Sequence, residues 1–346
     1  MMGSSTHPSP ELMKISKTYR LLLIVVMVLS IIGLVAVKAA HRPLDFSTVE
    51  SFQVSPGTSL FRLTRDLSER HLQIPSWAFL VLARLTSYRG PILAGEYAVH
   101  SGLNSLQLLT ILREGITIQR SVTFLEGWTF TQWRAHLSTQ PHILKNSAML
   151  TDKEIMARVR LTDSPTQTSP EGWFFPDTYF YSAGDSDLAI LQRAHKVMLE
   201  QLKDAGLKEN QAEKLNRYEY LILASMVEKE SGRASDRNKI AAVFLNRLQL
   251  GMRLQSDPTV IYGLGEDFDG DLVKADLMGD TPHNTYVNRG LPPTPICMPG
   301  RESIDAVMNP AEVGFLYFVA RGDGSSEFSV TLKAHNRAVR RYQINN

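Results

Sequence analysis

The chain has one cysteine, Cys297, among 346 residues, which rules out an intrachain disulfide and any metal site built from several thiolates. Such usage neither requires nor excludes an oxidising compartment. Neither sign of charge dominates: 37 Lys and Arg against 35 Asp and Glu leave +2, and nothing in that balance points to nucleic acid as a partner. The nine histidines are scattered, none pairs at ligand spacing, and no His-Glu-x-x-His is present, so a zincin is not expected. A Gly-x-Ser-x-Gly elbow, a P-loop, a dinucleotide fingerprint and an internal repeat are also missing. No metal and no cofactor is expected. What remains is a globular composition, 43% apolar and 21% charged, long enough for two or three domains.

Only one long apolar run occurs. Leu21 to Val37 carries no charge over 17 residues and follows Lys14, Lys17 and Arg20. That length is at the short end of the roughly 17–25 residues that cross a bilayer, and the basic flank places the N-terminus in the cytoplasm. The expectation is a cytoplasmic N-terminus over 1–20 and an uncleaved transmembrane anchor over 21–40. A cleaved signal peptide is the competing reading, because Lys38-Ala39-Ala40 offers small residues, yet its apolar core would be about 7–15 residues. Either way the chain past about His41 lies outside the cytoplasm. In a bacterium that is the periplasmic side of the inner membrane.

Beyond the anchor, the pattern predicts an α+β protein. A strand over Val49–Val54, helices over Ser59–His71 and Ser76–Thr86, a strand over Gly95–Val99 and a helix over Ser105–Glu114 make a compact unit within 41–117. It resembles the small LysM-like modules that bind cell-wall glycan; a structural spacer is the alternative. The rest, 118–346 with its core at 186–346, opens with a strand over Ile118–Phe124 and a helix from Thr131. Ser138–Pro170 is rich in Ser, Thr and Pro and reads as a boundary, with a helical patch at Lys153–Arg160. An aromatic loop follows at Glu171–Tyr179. Helices are then expected over Asp187–Ala205, ended by Gly206, and over Asp236–Leu250, capped by Ser235. Thr259–Tyr262 reads as a strand, Gly290–Pro295 as a stiff extended segment, Phe315–Ala320 and Glu327–Val330 as a hairpin, and Lys333–Tyr342 as a closing helix.

One stretch carries chemistry. The apolar helical run Tyr220–Val227 ends abruptly in Glu228-Lys229-Glu230-Ser231-Gly232. Three, four and seven residues before Glu230 stand Val227, Met226 and Leu223, so its carboxyl continues an apolar face, while Glu228 points roughly the other way. A carboxyl at the end of an apolar stripe is desolvated, which raises its pKa and keeps it protonated near neutrality, as a general acid requires. An exposed glutamate in the last turn is the alternative, because Leu221 and Ala224 make the helix apolar nearly all round.

Several motifs then carry a family resemblance. Leu223–Glu230, Val243–Leu248, Gly251–Val260, Asn284-Thr285-Tyr286 with Gly290–Pro293, Glu126-Gly127, Glu171–Phe174 with Pro176–Thr178, Leu316–Val319 and His335-Asn336 together resemble the MltG/YceG family of membrane-anchored endolytic lytic transglycosylases of peptidoglycan. The resemblance implies a catalytic half echoing the lysozyme-like fold of soluble lytic transglycosylases, with Glu230 as catalytic acid. It implies cleavage of the β-1,4 bond between N-acetylmuramic acid and N-acetylglucosamine in nascent strands, a 1,6-anhydro product, and contact with penicillin-binding proteins. Asn246, Gln255, Asn284 and Tyr286 are candidate sugar ligands, each with a structural hydrogen bond as the alternative. Thr294, His283 and Ser326 depart from the family pattern and bear on substrate contacts, not on the Glu230 helix. A hydrolase would need a second carboxylate, about 5–5.5 or about 6.5–9.5 Å away, for which Asp257 and Glu266 are candidates. The rival from another class is a non-catalytic, membrane-tethered glycan-binding scaffold of the cell-wall synthesis machinery.

Overall fold

The computed structural model describes residues 17–44, 50–70, 76–86, 92–160, 169–205 and 215–344; the N-terminal stretch 1–16 and the expected Gly206 cap lie outside them. The chain forms two compact units, Met1–Ile118 and Gln119–Asn346.

In the first unit, helix α1 (Lys17–His41) precedes β1 (Ser51–Val54), α2 (Leu60–Arg70), α3 (Ser76–Leu85), β2 (Gly95–Ala98) and α4 (Ser105–Glu114). The two strands pair antiparallel, with Phe52 opposite Tyr97 and their rings stacked at 5.6 Å. Val54, Leu63, Leu67, Phe79, Tyr97, Leu108 and Leu112 form the core, and Ala40 at the end of α1 joins it. The start of α4 is fixed by a capping box, Asn104 with Gln107, and its end by Gly115 at φ 65°, where a left-handed residue closes the last turn.

The anchor expectation needs correcting here. Among the described residues no helix is long and apolar enough to cross a membrane, so the structure does not support a span over 21–40. Helix α1 is continuous over that stretch, and Leu21, Leu23, Ile24, Met27, Ile31 and Leu34 stand exposed on it.

The second unit holds β3 (Arg120–Thr123), α5 (Phe130–Thr139), α6 (Asp152–Val159), β4 (Thr178–Tyr181), α7 (Asp187–Asp204), α8 (Arg217–Glu230), α9 (Arg237–Gln249), α10 (Asp257–Leu264), α11 (Lys274–Met278), α12 (Arg301–Met308), β5 (Tyr317–Ala320), β6 (Ser326–Ser329) and α13 (Leu332–Val339). Strands β3 and β4 pair antiparallel, as do β5 and β6. One core runs through the unit, from Phe124, Trp133 and Trp173 to Leu223, Phe244 and Ile304.

Two local expectations fail for identifiable reasons. Thr259–Tyr262 lies inside α10 and not in a strand: Pro258 occupies the first turn, where its fixed φ suits a helix and its missing N–H is no loss. Ser235 does not cap α9; a 3-10 turn over Ala234–Asp236 leads into that helix, and the Asp236 carboxylate instead accepts from Ser326 N at 2.9 Å. Of the boundary expected within Ser138–Pro170, residues 161–168 lie outside the described residues; before them α6 packs on α7 and buries Ile155, Met156 and Val159. The aromatic loop after Glu171 also holds a strand, β4, whose Tyr179 and Tyr181 turn inward.

Helix α8 is the spine of this unit. The Asn216–Glu219 capping box starts it, and every residue from Leu221 to Val227 is at most 3% exposed, enclosed by α9, α10 and α12. Burying one such aliphatic side chain stabilises by about 1.5–3 kcal/mol. The polar Ser225 is satisfied within the spine: its hydroxyl donates to Ile222 O and accepts Ile296 N, which laces the extended segment 290–298 along the helix. Leu223→Ala is expected to cost about 2–5 kcal/mol, measured by urea denaturation; a cost under about 1 kcal/mol would show that the helix is not held as described.

Candidate active site

Glu230 is the last residue of α8, followed by Ser231 as C-cap. Its side chain is partly buried, and Oε1 accepts a hydrogen bond from the Ser256 hydroxyl at 2.6 Å. Burial raises its pKa to about 7; Asp257 pushes the same way, whereas the Ser256 hydroxyl and the Arg247 guanidinium pull it down. The negative end of the α8 dipole also disfavours a carboxylate there. At neutral pH a large share of Glu230 is therefore protonated, the state from which an acid donates.

The neighbours come from separate elements. Arg247 of α9 is only 7% exposed, donates to Leu316 O at 2.7 Å and Leu254 O at 2.6 Å, and lies over the Tyr317 ring at 5.3 Å. The Tyr286 hydroxyl donates to the Asp257 carboxylate, and burial together with that bond holds its pKa high. Gln255, just before Ser256, sits at φ 52°, a left-handed conformation that costs a non-glycine residue about 1–2 kcal/mol. A tight approach closes the other side. A Cβ at Gly232 would meet Gly324 O at 2.8 Å, so the β5–β6 hairpin tip rests on the loop that follows the acid.

The structure separates the two glutamates of the motif. Glu228 turns toward α12, where it accepts from Gly300 N at 3.1 Å and the Ser303 hydroxyl at 2.6 Å and pairs with Arg237 at 3.8 Å. A second carboxyl with a raised pKa, also about 7, is Glu171, 4% exposed. Burial raises it, and its bonds from Phe130 N and the Tyr262 hydroxyl oppose the shift. Glu171 ties α5 to α10 and so belongs to the frame around the site.

The four candidate sugar ligands part into two pairs. Asn246 donates to Val313 O and Phe315 O, and fully buried Asn284 donates to three carbonyls, Asp276, Leu277 and Gly279, while accepting Tyr286 N; both amides hold loops. Tyr286, partly buried, lies within electrostatic reach of Glu230, and Gln255, exposed, directly precedes the Ser256 that bonds Glu230. Glu266 falls in an exposed turn after α10. Sequence reasoning passed over Ser256 and Arg247 as site residues. The signal available was a small polar residue followed by Asp-Pro, which reads as a helix start.

Fold and site together define a protein of mixed helix and sheet with one desolvated carboxyl at a helix end; among the described residues no three His, Cys, Asp or Glu are grouped to hold a metal. Residues 52–341 match the YceG-like family, and the chain belongs to it. It is similar to the endolytic murein transglycosylase of Bacillus subtilis (strain 168), at 30% identity over 311 residues and 86% of each chain. The protein of that name from Streptococcus pneumoniae R6 is 26% identical over 83% of this chain, which spans 57% of its length. A crystal structure of a putative YceG-like protein from Listeria monocytogenes superposes at a TM-score of 0.55, with 29% identity, 83% of this chain and 97% of that one.

Two outcomes are expected. A carboxyl whose pKa is raised on folding weakens the fold as it ionises, so Glu230 and Glu171 remove stability as pH rises from about 4.5 through about 7. The melting temperature of Glu230→Gln should therefore gain on that of the wild type between pH 5 and pH 8.5; a constant difference would refute the raised pKa. Asn284→Ala should lower stability by about 1–3 kcal/mol in thermal unfolding, with KM unchanged in the surviving folded protein.

Proposed function

We infer that the chain is an endolytic peptidoglycan lytic transglycosylase, a lyase, and the observation that carries this is the desolvated, hydrogen-bonded carboxyl of Glu230. The names of its relatives support the substrate class. Protonated Glu230 donates to the glycosidic oxygen between N-acetylmuramic acid and N-acetylglucosamine as that bond breaks with oxocarbenium character. The carboxylate so formed removes the proton of the muramoyl 6-hydroxyl, whose oxygen bonds to C1, giving a 1,6-anhydro end and restoring the acid. No water is consumed, so one group serves as acid and then as base. The nearby cation, Arg247, eases the carboxylate stage.

The finer readings join this proposal. The β1-α2-α3-β2 order with its antiparallel pair supports a LysM-like module, and enclosed α8 with its terminal acid supports a lysozyme-like catalytic half. Uncovered apolar side chains on α1 and the basic residues before it support attachment to the inner membrane, with the catalytic unit in the periplasm. Termination of nascent strands beside penicillin-binding proteins rests on the family resemblance alone.

The test is digestion of purified sacculi followed by mass analysis. The wild type should release anhydro-ended fragments, and Glu230→Gln should lower release by at least about 10³-fold with the fold intact. Activity should fall as pH rises above about 7, where the acid loses its proton. Reducing ends would make the enzyme a muramidase. No release by the wild type, and no effect of the substitution, would leave a glycan-binding scaffold.

A further inference from the structure

Glu230 has two carboxyl oxygens, and only one of them can carry the proton that reaches the glycosidic link. The Ser256 hydroxyl lies 2.6 Å from Oε1. The hydrogens around Ser256 can be assigned by elimination. Thr259 donates its hydroxyl to Ser256 O at 2.6 Å, so in the 2.8 Å contact between the Thr259 and Thr285 hydroxyls it is Thr285 that donates. Thr285 Oγ1 in turn accepts Ser256 N at 3.0 Å. All three residues are at most 1% exposed. Both backbone groups of Ser256 are thereby held, and among the described contacts its hydroxyl has one acceptor, Glu230. The left-handed Gln255 turns the chain immediately before it.

We propose that Ser256 is the positioning residue of the general acid: by donating to Oε1 it reserves that oxygen as an acceptor and leaves the acid proton on Oε2, whence it is delivered to the glycosidic oxygen. Two consequences follow from one bond. The carboxyl is fixed in rotation, which keeps its reactive oxygen aimed, and the ionised form is favoured slightly, which eases departure of the proton in the first half of the reaction. The strain at Gln255 fits this duty, because a relaxed turn would carry the Ser256 hydroxyl elsewhere. The other groups acting on Glu230 are Asp257 of α10, which raises its pKa, Arg247 of α9, which lowers it, and the Tyr286 hydroxyl that Asp257 holds. None of them is altered by changing Ser256.

The inference rests on the transglycosylase reading for its catalytic meaning, and its test has an arm independent of activity. Titration of the Glu230 carboxyl in the full chain can be followed by ¹³C NMR with labelled glutamate, assigned by the signal missing in Glu230→Gln. Removing a donor to the carboxylate should move that titration upward, by about one pH unit in Ser256→Ala, and Ser256→Thr should restore it. In sacculus digestion, Ser256→Ala should lower kcat at least about tenfold with KM unchanged and shift the alkaline limb of the pH profile upward by the same amount. An unmoved titration would overturn the proposal, as would an upward titration with kcat unchanged. Should Ser256→Ala not fold, Thr285→Val, which removes the acceptor for Ser256 N, is measured instead; an unshifted Glu230 titration there also overturns it. If the wild type cleaves nothing while the titration shifts as described, the functional reading fails and the hydrogen-bond assignment stands.

Discussion

Withdrawal of one carboxyl from water is the constraint around which the larger unit is arranged. A helix with a solvent-facing side would let the Glu230 carboxyl ionise at an ordinary pH. Helix α8 has no such side between Leu221 and Val227, and it releases its chain only at the residue that needs a little access. The surrounding helices are thus part of the chemistry: α9 brings the nearest cation, α10 brings the hydroxyl and a neighbouring carboxylate, and α12 draws the competing Glu228 away through Gly300 N and Ser303. Two glutamates separated by a single residue thus meet different surroundings. Glu228 pairs with Arg237 and accepts from Gly300 N and Ser303, whereas Glu230 accepts from Ser256 and is desolvated by burial.

How much of this could be read from residues alone depended on the range of the interaction concerned. Elements set by local rules were legible: α4 and α7 appear where periodicity puts them, and the terminal hairpin forms across its glycine-rich turn. That Glu228 and Glu230 point apart was legible too, since spacing along one helix decides which way each points. Contacts made across the fold were not. Thr259–Tyr262 is rich in the β-branched and aromatic residues of a strand, and the helix wins because Pro258 and the buried Thr259–Ser256 bond start it. Asn246 and Asn284 resemble sugar ligands in any sequence, and only the folded chain reveals their actual bonds, to the distant Val313 and Phe315 carbonyls and to the preceding loop at Asp276–Gly279. Ser256 was hidden for the same reason, because its partner is 26 residues away.

The departures from the family pattern become intelligible in space. His283 Nε2 and Thr294 Oγ1 lie 2.9 Å apart, and the His283 ring packs edge-on against Tyr262 at 4.8 Å. Tyr262 in turn bonds Glu171. Two unusual residues thus form one substitution, a local polar bond inserted beside a buried carboxyl. At Ser326 it is the backbone N–H that meets Asp236, a role any side chain but proline could leave in place.

The hairpin carries a mechanical consequence. Gly324 O abuts Gly232, Arg233 donates to Asp323 O at 2.6 Å, and Asp236 accepts Ser326 N. Three fastenings within five residues couple the ribbon's tip to the chain that leaves the acid. Any displacement of that ribbon is therefore passed directly to the backbone that follows Glu230, so the hairpin and the end of α8 move as one lever.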